Sequence, residues 1–201
     1  MGRFKWVVIG LSLFVSACAG NFTTEYTTLD QIGFDGPVRV TDVDVVVPDG
    51  TSTTEANRLA PRADIVWHGE LAGDRRAQTA AIVEEGILRG AEGSEGRGVE
   101  LRVELTRFHA VTPSAVNLAP SAVHDIEFNV WIHDCTDGDE LIGPLAFETD
   151  LLAFTRTQAA VAAAEGRTQR ERIVHHISRV TQHWLGQSTD DPRTSFAGLG
   201  R

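Results

Sequence analysis

Lysine is almost missing from this chain. Lys5 is the only one, so every other long basic side chain is arginine. Cysteine is scarce too, with Cys18 and Cys135 the whole supply, far too few for a disulfide framework. Positive charge is in deficit: 18 Lys and Arg against 28 Asp and Glu leave a formal net charge of -10. Such a surface repels phosphate backbones, which argues against nucleic acid as a partner. It also offers no polybasic patch to draw the chain onto anionic lipid. No apolar run approaches the roughly 20 residues that a helix needs to cross a bilayer. The G-x-S-x-G elbow, the P-loop, the dinucleotide fingerprint and H-E-x-x-H are all absent, which lowers the standing of the common hydrolases and nucleotide enzymes.

What the chain does have begins at its start. Arg3 and Lys5 form a basic n-region, and Trp6 to Phe14 is an apolar run of export-signal length. Val15-Ser16-Ala17-Cys18 follows, with small residues leading to a thiol. This segment resembles the lipobox of bacterial lipoproteins, with Val15 where leucine is commoner. The resemblance implies removal of residues 1–17 and acylation of Cys18, so that palmitate-bearing chains hold the protein at a membrane. Losing Arg3 and Lys5 with the leader takes the charge from -10 to -12. Ala19, in place of the aspartate that retains enteric lipoproteins at the inner membrane, favours the outer membrane. The expected location is the cell envelope, facing the periplasm. Only Cys135 then remains as a free thiol, and burial is the expected state for it.

Residues 18–36 are polar and Thr-rich and read as the lipidated N-terminus and a tether. With 42% hydrophobic and 23% charged residues the rest is ordinary globular material, enough for a single domain over 37–187. Val38, Val40, Val43, Val45 and Val47 predict a strand with a bulge at Thr41-Asp42, and 63–69 is a second strand candidate. Asp74 caps a predicted helix over 75–91, which Gly86 weakens by about 1 kcal/mol relative to alanine. Val99, Leu101, Val103 and Leu105, then Ile126, Phe128, Val130 and Ile132, alternate with polar residues and predict an antiparallel pair. That pairing sets Arg102 across from or beside Trp131, close enough for a cation–π contact. Asp137-Gly138-Asp139 is a turn, and 145–151 a further strand. Residues 158–165 form a candidate short helix. Thr168 and Glu171 form a capping box for a last helix through Trp184, stopped by Gly186. Residues 188–201 read as a flexible tail. The predicted class is α+β: a mostly antiparallel sheet of about five strands with two helices packed on one face.

Gly143-Pro144, Phe147-Glu148-Thr149-Asp150-Leu151, Gly166-Arg167-Thr168-Gln169, His176 and Trp184-Leu185 together resemble a family of short alphaproteobacterial lipoproteins of unknown function. In layout the chain is also similar to small envelope lipoproteins with a helix-on-sheet domain, auxiliary lipoproteins of envelope transport systems among them. Neither resemblance implies catalytic residues.

Several clusters invite chemistry. His133 and Cys135 share a strand side and form a weak nucleophile-and-base pattern, for which a structural place at a strand end is the plainer account. His176 and His183 lie seven apart on one helix, with His175 beside them, whereas a two-histidine metal site prefers three or four; a solvated helix face accounts for them. His68, His109 and His124 lack ligand spacing. Asp134, Asp137, Asp139 and Glu140 are an incomplete calcium loop, better read as a hairpin turn. Asp64 with Glu70, and Glu84 with Glu85, are unmarked carboxylates. The resulting expectation is a lipid-anchored, non-catalytic envelope module without metal or cofactor. Its partners are the membrane, through the acyl chains on Cys18, and another envelope protein, met by Trp131 or an open sheet edge. The alternatives are a small-molecule or lipid carrier with an enclosed pocket and, behind it, an enzyme using His133 and Cys135.

Overall fold

The computed structural model describes residues 20–198. The leader, Cys18 and Ala19 lie outside the described residues. In chain order the elements are β1 (Gly20–Tyr26), β2 (Val38–Val46), β3 (Thr53–Thr54), β4 (Ile65–Val66), α1 (Arg75–Ala91), β5 (Arg97–His109), α2 (Pro113–Leu118), β6 (Val123–Asp134), β7 (Glu140–Thr149), β8 (Leu151–Leu152), α3 (Arg156–Ala164), α4 (Gln169–Trp184) and β9 (Thr194–Gly198). The strands form one open sheet in the order β3-β4-β5-β6-β7-β1-β9, with β2 beside β5 and β8 beside β6. The class is α+β and the sheet mostly antiparallel. It has nine strands among the described residues, not about five, and four helices accompany it, not two.

The centre follows the alternation in the sequence. β5 and β6 pair antiparallel, with Leu101 opposite Ile132 and Arg102 opposite Trp131. Val99, Leu101, Val103, Leu105, Phe128, Val130 and Ile132 are all buried on the helix side. The other face stays wet, as an antiparallel sheet allows. Arg102 and Trp131 are directly opposed, yet among the described residues no guanidinium lies over the Trp131 ring. Trp131 instead lies against the backbone of Gly143, where a Cβ would stand 2.4 Å from the indole. β2 runs parallel to β5 and its register slips between Val40 and Asp42, at the expected bulge.

α1 and α4 lie side by side on the buried face. Asp74 accepts from the Ala77 N–H at 3.1 Å, and Thr168 accepts from the Glu171 N–H at 3.2 Å. The Glu171 carboxylate turns away from the box to Arg89 on α1, 2.7 Å off. Two glycines set how closely the helices approach. A Cβ on Gly86 would stand 2.7 Å from the Ile177 Cβ, and one on Gly90 would stand 2.5 Å from the Ser178 carbonyl oxygen. Gly86, which weakens α1 taken alone, is therefore the groove that admits α4. Charges clasp the seam from outside: Arg170 reaches Glu85 at 2.6 Å and Glu70 at 3.0 Å. Beneath it Ile82, Val83, Ile173, Ile177 and Val180 are fully buried.

Both ends of the described chain differ from expectation. The stretch expected as a tether contributes β1, which pairs with β7 on one flank and β9 on the other. Phe22 is 0% exposed and Leu29 is buried too. The tail expected to be flexible contributes β9, and Phe196 stacks on Phe22 with ring centroids 6.3 Å apart. Thr24 at the middle of β1 breaks the apolar pattern, although its side chain is as buried as those of its neighbours Phe22 and Tyr26.

Two substitutions test this packing. Gly90→Ala should lower stability by ~1–3 kcal/mol although alanine favours a helix, because the methyl meets backbone. Phe22→Ala should cost ~3–5 kcal/mol, the range for a buried phenylalanine and not for a tether residue. Urea unfolding measures both, and a neutral Phe22→Ala would remove β1 from the folded unit.

Candidate functional site

Most of the sequence-flagged residues fall into three places. The first is the far end of the β5–β6 pair. His133 is half-buried, and its Nδ1 lies 3.1 Å from the Gly138 carbonyl in the turn. Cys135 is exposed, not buried as expected, because it lies in the turn beyond the last paired residue of β6. Its Sγ occupies the space above Gly98, where a Cβ would come within 2.5 Å. The acidic residues here shape the turn. Asp134 accepts from the Thr136 N–H at 2.7 Å and pairs with Arg97 at 2.6 Å, and Asp137 accepts from the Asp139 N–H at 3.1 Å. Among the described residues no His, Cys, Asp and Glu group has the makings of a metal site.

The second place joins α4 to β1. His176 and His183 do not face solvent, contrary to expectation; only His175 does. The Thr24 hydroxyl donates to the Asp150 carbonyl at 2.8 Å, so its oxygen receives the proton of His176 Nε2, 3.1 Å away. The Tyr26 hydroxyl lies 2.7 Å from His183 Nδ1. The two histidines thus hold two same-face residues of one strand, which accounts for their wide spacing. Burial lowers His176 to about 4, and nearby Arg179, His175 and Arg172 add to the effect. Burial lowers His124, fully enclosed in β6, to about 3, with Arg172, His176 and His109 adding to it. The Val111 N–H donates to its Nδ1 at 3.4 Å. Beside them Asp150 is raised to about 7, first by burial and then by the charge of Asp125. The Thr23 and Ile126 N–H groups, at 3.0 and 3.2 Å, offset part of this.

The third place is a cavity of about 230 Å³ under α2, between residues 59–61 and the ends of β5 and β6. Its wall is mainly apolar, with Val111, Ala115, Leu118 and Val123. Three buried polar residues line it: Thr112, and His109 and Asp125, which face each other in the β5–β6 register. Arg107 Nη1 is 3.6 Å from the Asp125 carboxylate. α2 exists because Thr112 caps it, accepting from Ala115 N–H at 3.1 Å, with Pro113 as its first residue. Residue spacing gave no sign of this cavity, since its polar pair comes from two strands and its apolar wall from a loop and a short helix.

Three of the four flagged carboxylates, Asp64, Glu70 and Glu85, hold the frame together. Asp64 accepts from Ser52 N–H and hydroxyl at 2.9 and 2.7 Å, and Glu70 and Glu85 belong to the helix seam. The space between the sheet and α1 and α4 is filled by side chains, and concave sites lie outside that layer, around α2 and α3 and on the outer sheet face beside Arg102, Trp131 and His133. No helix among the described residues is long and apolar enough to cross a membrane.

Comparisons with known proteins bear on this arrangement. A model described as "Family of unknown function (DUF6778)" matches residues 38–201. No curated protein matches the chain. Among solved structures, protein XCC0632 from Xanthomonas campestris, of family-model DUF330, is similar with a TM-score of 0.45 and 18% identity, over 74% of this chain and 82% of that one. A candidate lipoprotein from Caulobacter crescentus CB15 gives a TM-score of 0.37 and 14% identity, over 72% and 88%. A variant PelC dodecamer from Paraburkholderia phytofirmans gives a TM-score of 0.33 and 11% identity, over 82% and 96%.

The titrations have a sign. His124 and His176 are depressed below the ordinary 6.5, so the stability they contribute is present above that value and lost as pH falls toward 4 and 3. Asp150 is raised above the ordinary 3.8, so its contribution is full below that value and lost as pH rises through about 7. Two histidines oppose one carboxyl, and acidification should destabilise the fold. Asp150→Asn removes the opposing group. Its loss of stability between about pH 7 and about pH 4.5 should exceed that of the parent chain. An equal or smaller loss, measured by urea unfolding at both values, contradicts the assignment.

Proposed function

The chain belongs to the DUF6778 family of unknown function, and from that premise we propose that it is a lipid-anchored envelope lipoprotein whose domain acts as a non-catalytic binding module. The observation that carries this reading is the distance between anchor and fold. The lipobox-like run Val15-Ser16-Ala17-Cys18 ends two residues before β1 begins at Gly20. Two residues reach at most ~7 Å, so a chain acylated at Cys18 keeps the β1 end of its sheet against the lipid headgroups. The location is the periplasmic side of the envelope, with the outer membrane favoured by Ala19. The partner is another envelope protein. It is met on the wet sheet face around Trp131 or along the outer edge of β2, whose nine residues bond to β5 alone among the described strands.

A non-catalytic role is supported by how the reactive groups are used. His133 is tied to its own turn, Cys135 lies over Gly98, and His124 and His176 are buried in the frame. A carrier with a pocket between sheet and helices is disfavoured by the filled layer between them. Of the cavities around α2 and α3, about 230 and 360 Å³, the second is of small-molecule size.

Cys18→Ala should release the protein from the membrane fraction, and retention there would contradict the anchor. Cys135, being exposed, should react readily with a maleimide in the folded chain, and modifying it should leave membrane retention unchanged.

A further inference from the structure

A second cavity, of about 360 Å³, opens between α3 and the start of α4. Four arginines line it: Arg156, Arg167, Arg170 and Arg172. Its other walls are apolar or neutral, Phe154, Val116 and the alanines of α3 among them, and no acidic residue lines it. In a chain with 28 acidic residues that exclusion is notable, since a carboxylate would neutralise the arginines from within the wall.

The arginines differ in how much of their charge is already matched. Arg170 is shared between Glu70 and Glu85 and contributes little outward field. Arg167 pairs with Glu165 on the open surface, where solvent weakens the pair. Arg172 and Arg156 form no ion pair among the described residues. Arg172 donates to the Leu152 carbonyl at 2.6 Å, and Arg156 to the Leu118 carbonyl at 3.1 Å. One bond each leaves most of the five guanidinium N–H groups for another acceptor. The Arg172 guanidinium lies 3.5 Å from the centroid of the Phe154 ring, and that of Arg167 lies 5.7 Å from the same centroid. Two like charges are thus gathered around one aromatic ring. Burial, and then the Arg167 charge, lower Arg172 to about 10. Thr168 and Gln169 also line the cavity, so the first turn of α4, with its orphan N–H groups and positive dipole end, borders the same space.

We propose that this cavity binds a small molecule bearing a phosphate group, with Arg156, Arg167 and Arg172 around the phosphate and Phe154, Val116 and the α3 alanines around a compact apolar body. Guanidinium forks match phosphate oxygens in geometry as well as charge. The cavity is too small for a diacyl chain pair, so a lipid would present only its headgroup here. The proposal concerns the α3–α4 end of the domain and does not depend on acylation of Cys18.

The test is calorimetric titration of the full chain, in micelles of a neutral detergent, with phenyl phosphate and with inorganic phosphate. Phenyl phosphate should bind, inorganic phosphate more weakly. The double variant Arg156→Ala/Arg167→Ala changes two exposed side chains and should retain the parent's melting temperature while losing affinity by at least about tenfold. Arg172→Lys keeps the charge and the stem but not the fork, and should weaken binding as well. Doping the micelles with phosphatidylglycerol distinguishes two sources of the phosphate. Displacement of phenyl phosphate identifies a lipid headgroup, and undiminished binding identifies a soluble phosphate ester. Absence of phenyl phosphate binding to the parent chain, or equal affinity in the folded double variant, would overturn the proposal.

Discussion

The close contact of α1 with α4 is the constraint on which the rest of the domain depends. Gly86 and Gly90 form a backbone groove, and Ile177, Ser178 and Thr181 fill it. Only this approach lets both helices lie flat on the β5–β6 centre of the sheet and bury one continuous core. It also fixes where α4 begins and which way its faces point. One face presses Trp184 edge-on against Phe147, ring centroids 5.3 Å apart, and another presents His176 and His183 to β1. The start of the same helix borders the arginine-lined cavity. One helix placement therefore serves the core, the attachment of the first strand and the charged pocket together.

The polar groups divide along the same lines. Three groups with strongly displaced protonation, His124, His176 and Asp150, lie where β1, β6, the start of β8 and α4 meet, and they bind these elements to one another. Displaced pKa values often accompany catalysis, but buried structural networks displace them equally well. Here the hydrogen bonds lead to backbone amides and to a strand hydroxyl. The side chains that meet solvent-accessible cavities are of a different kind: an apolar wall with His109 and Asp125 on one side of α2, and arginines on the other.

Much of the frame was legible in the residue pattern, and what was not has identifiable causes. Asp74 and Thr168 mark helix starts because a cap is local chemistry, and the structure begins α1 and α4 right after them. The alternation in β5 and β6 is strong enough to fix even the Arg102–Trp131 register. β1 escaped notice because Thr24 interrupts its apolar face, and burial of that threonine depends on His176, 152 positions away. Gly86 reads locally as a weak point in a helix, and only the presence of α4 makes it a contact surface. Cys135 was expected inside because thiols usually are, yet it lies one residue past the end of a strand. The arginine pocket was invisible because Arg156 and Arg167 flank one helix while Arg170 and Arg172 begin another, and nothing in their spacing says that the two helices converge.

β1 meets partners along both flanks, with Phe147 of β7 opposite Tyr26 and Phe196 of β9 opposite Phe22. A pull delivered through the start of the chain runs along this strand, so its hydrogen bonds are sheared together and do not unzip one after another. The strand is thereby suited to bearing mechanical load, and tension at the front of the molecule spreads into the sheet before it reaches the helices.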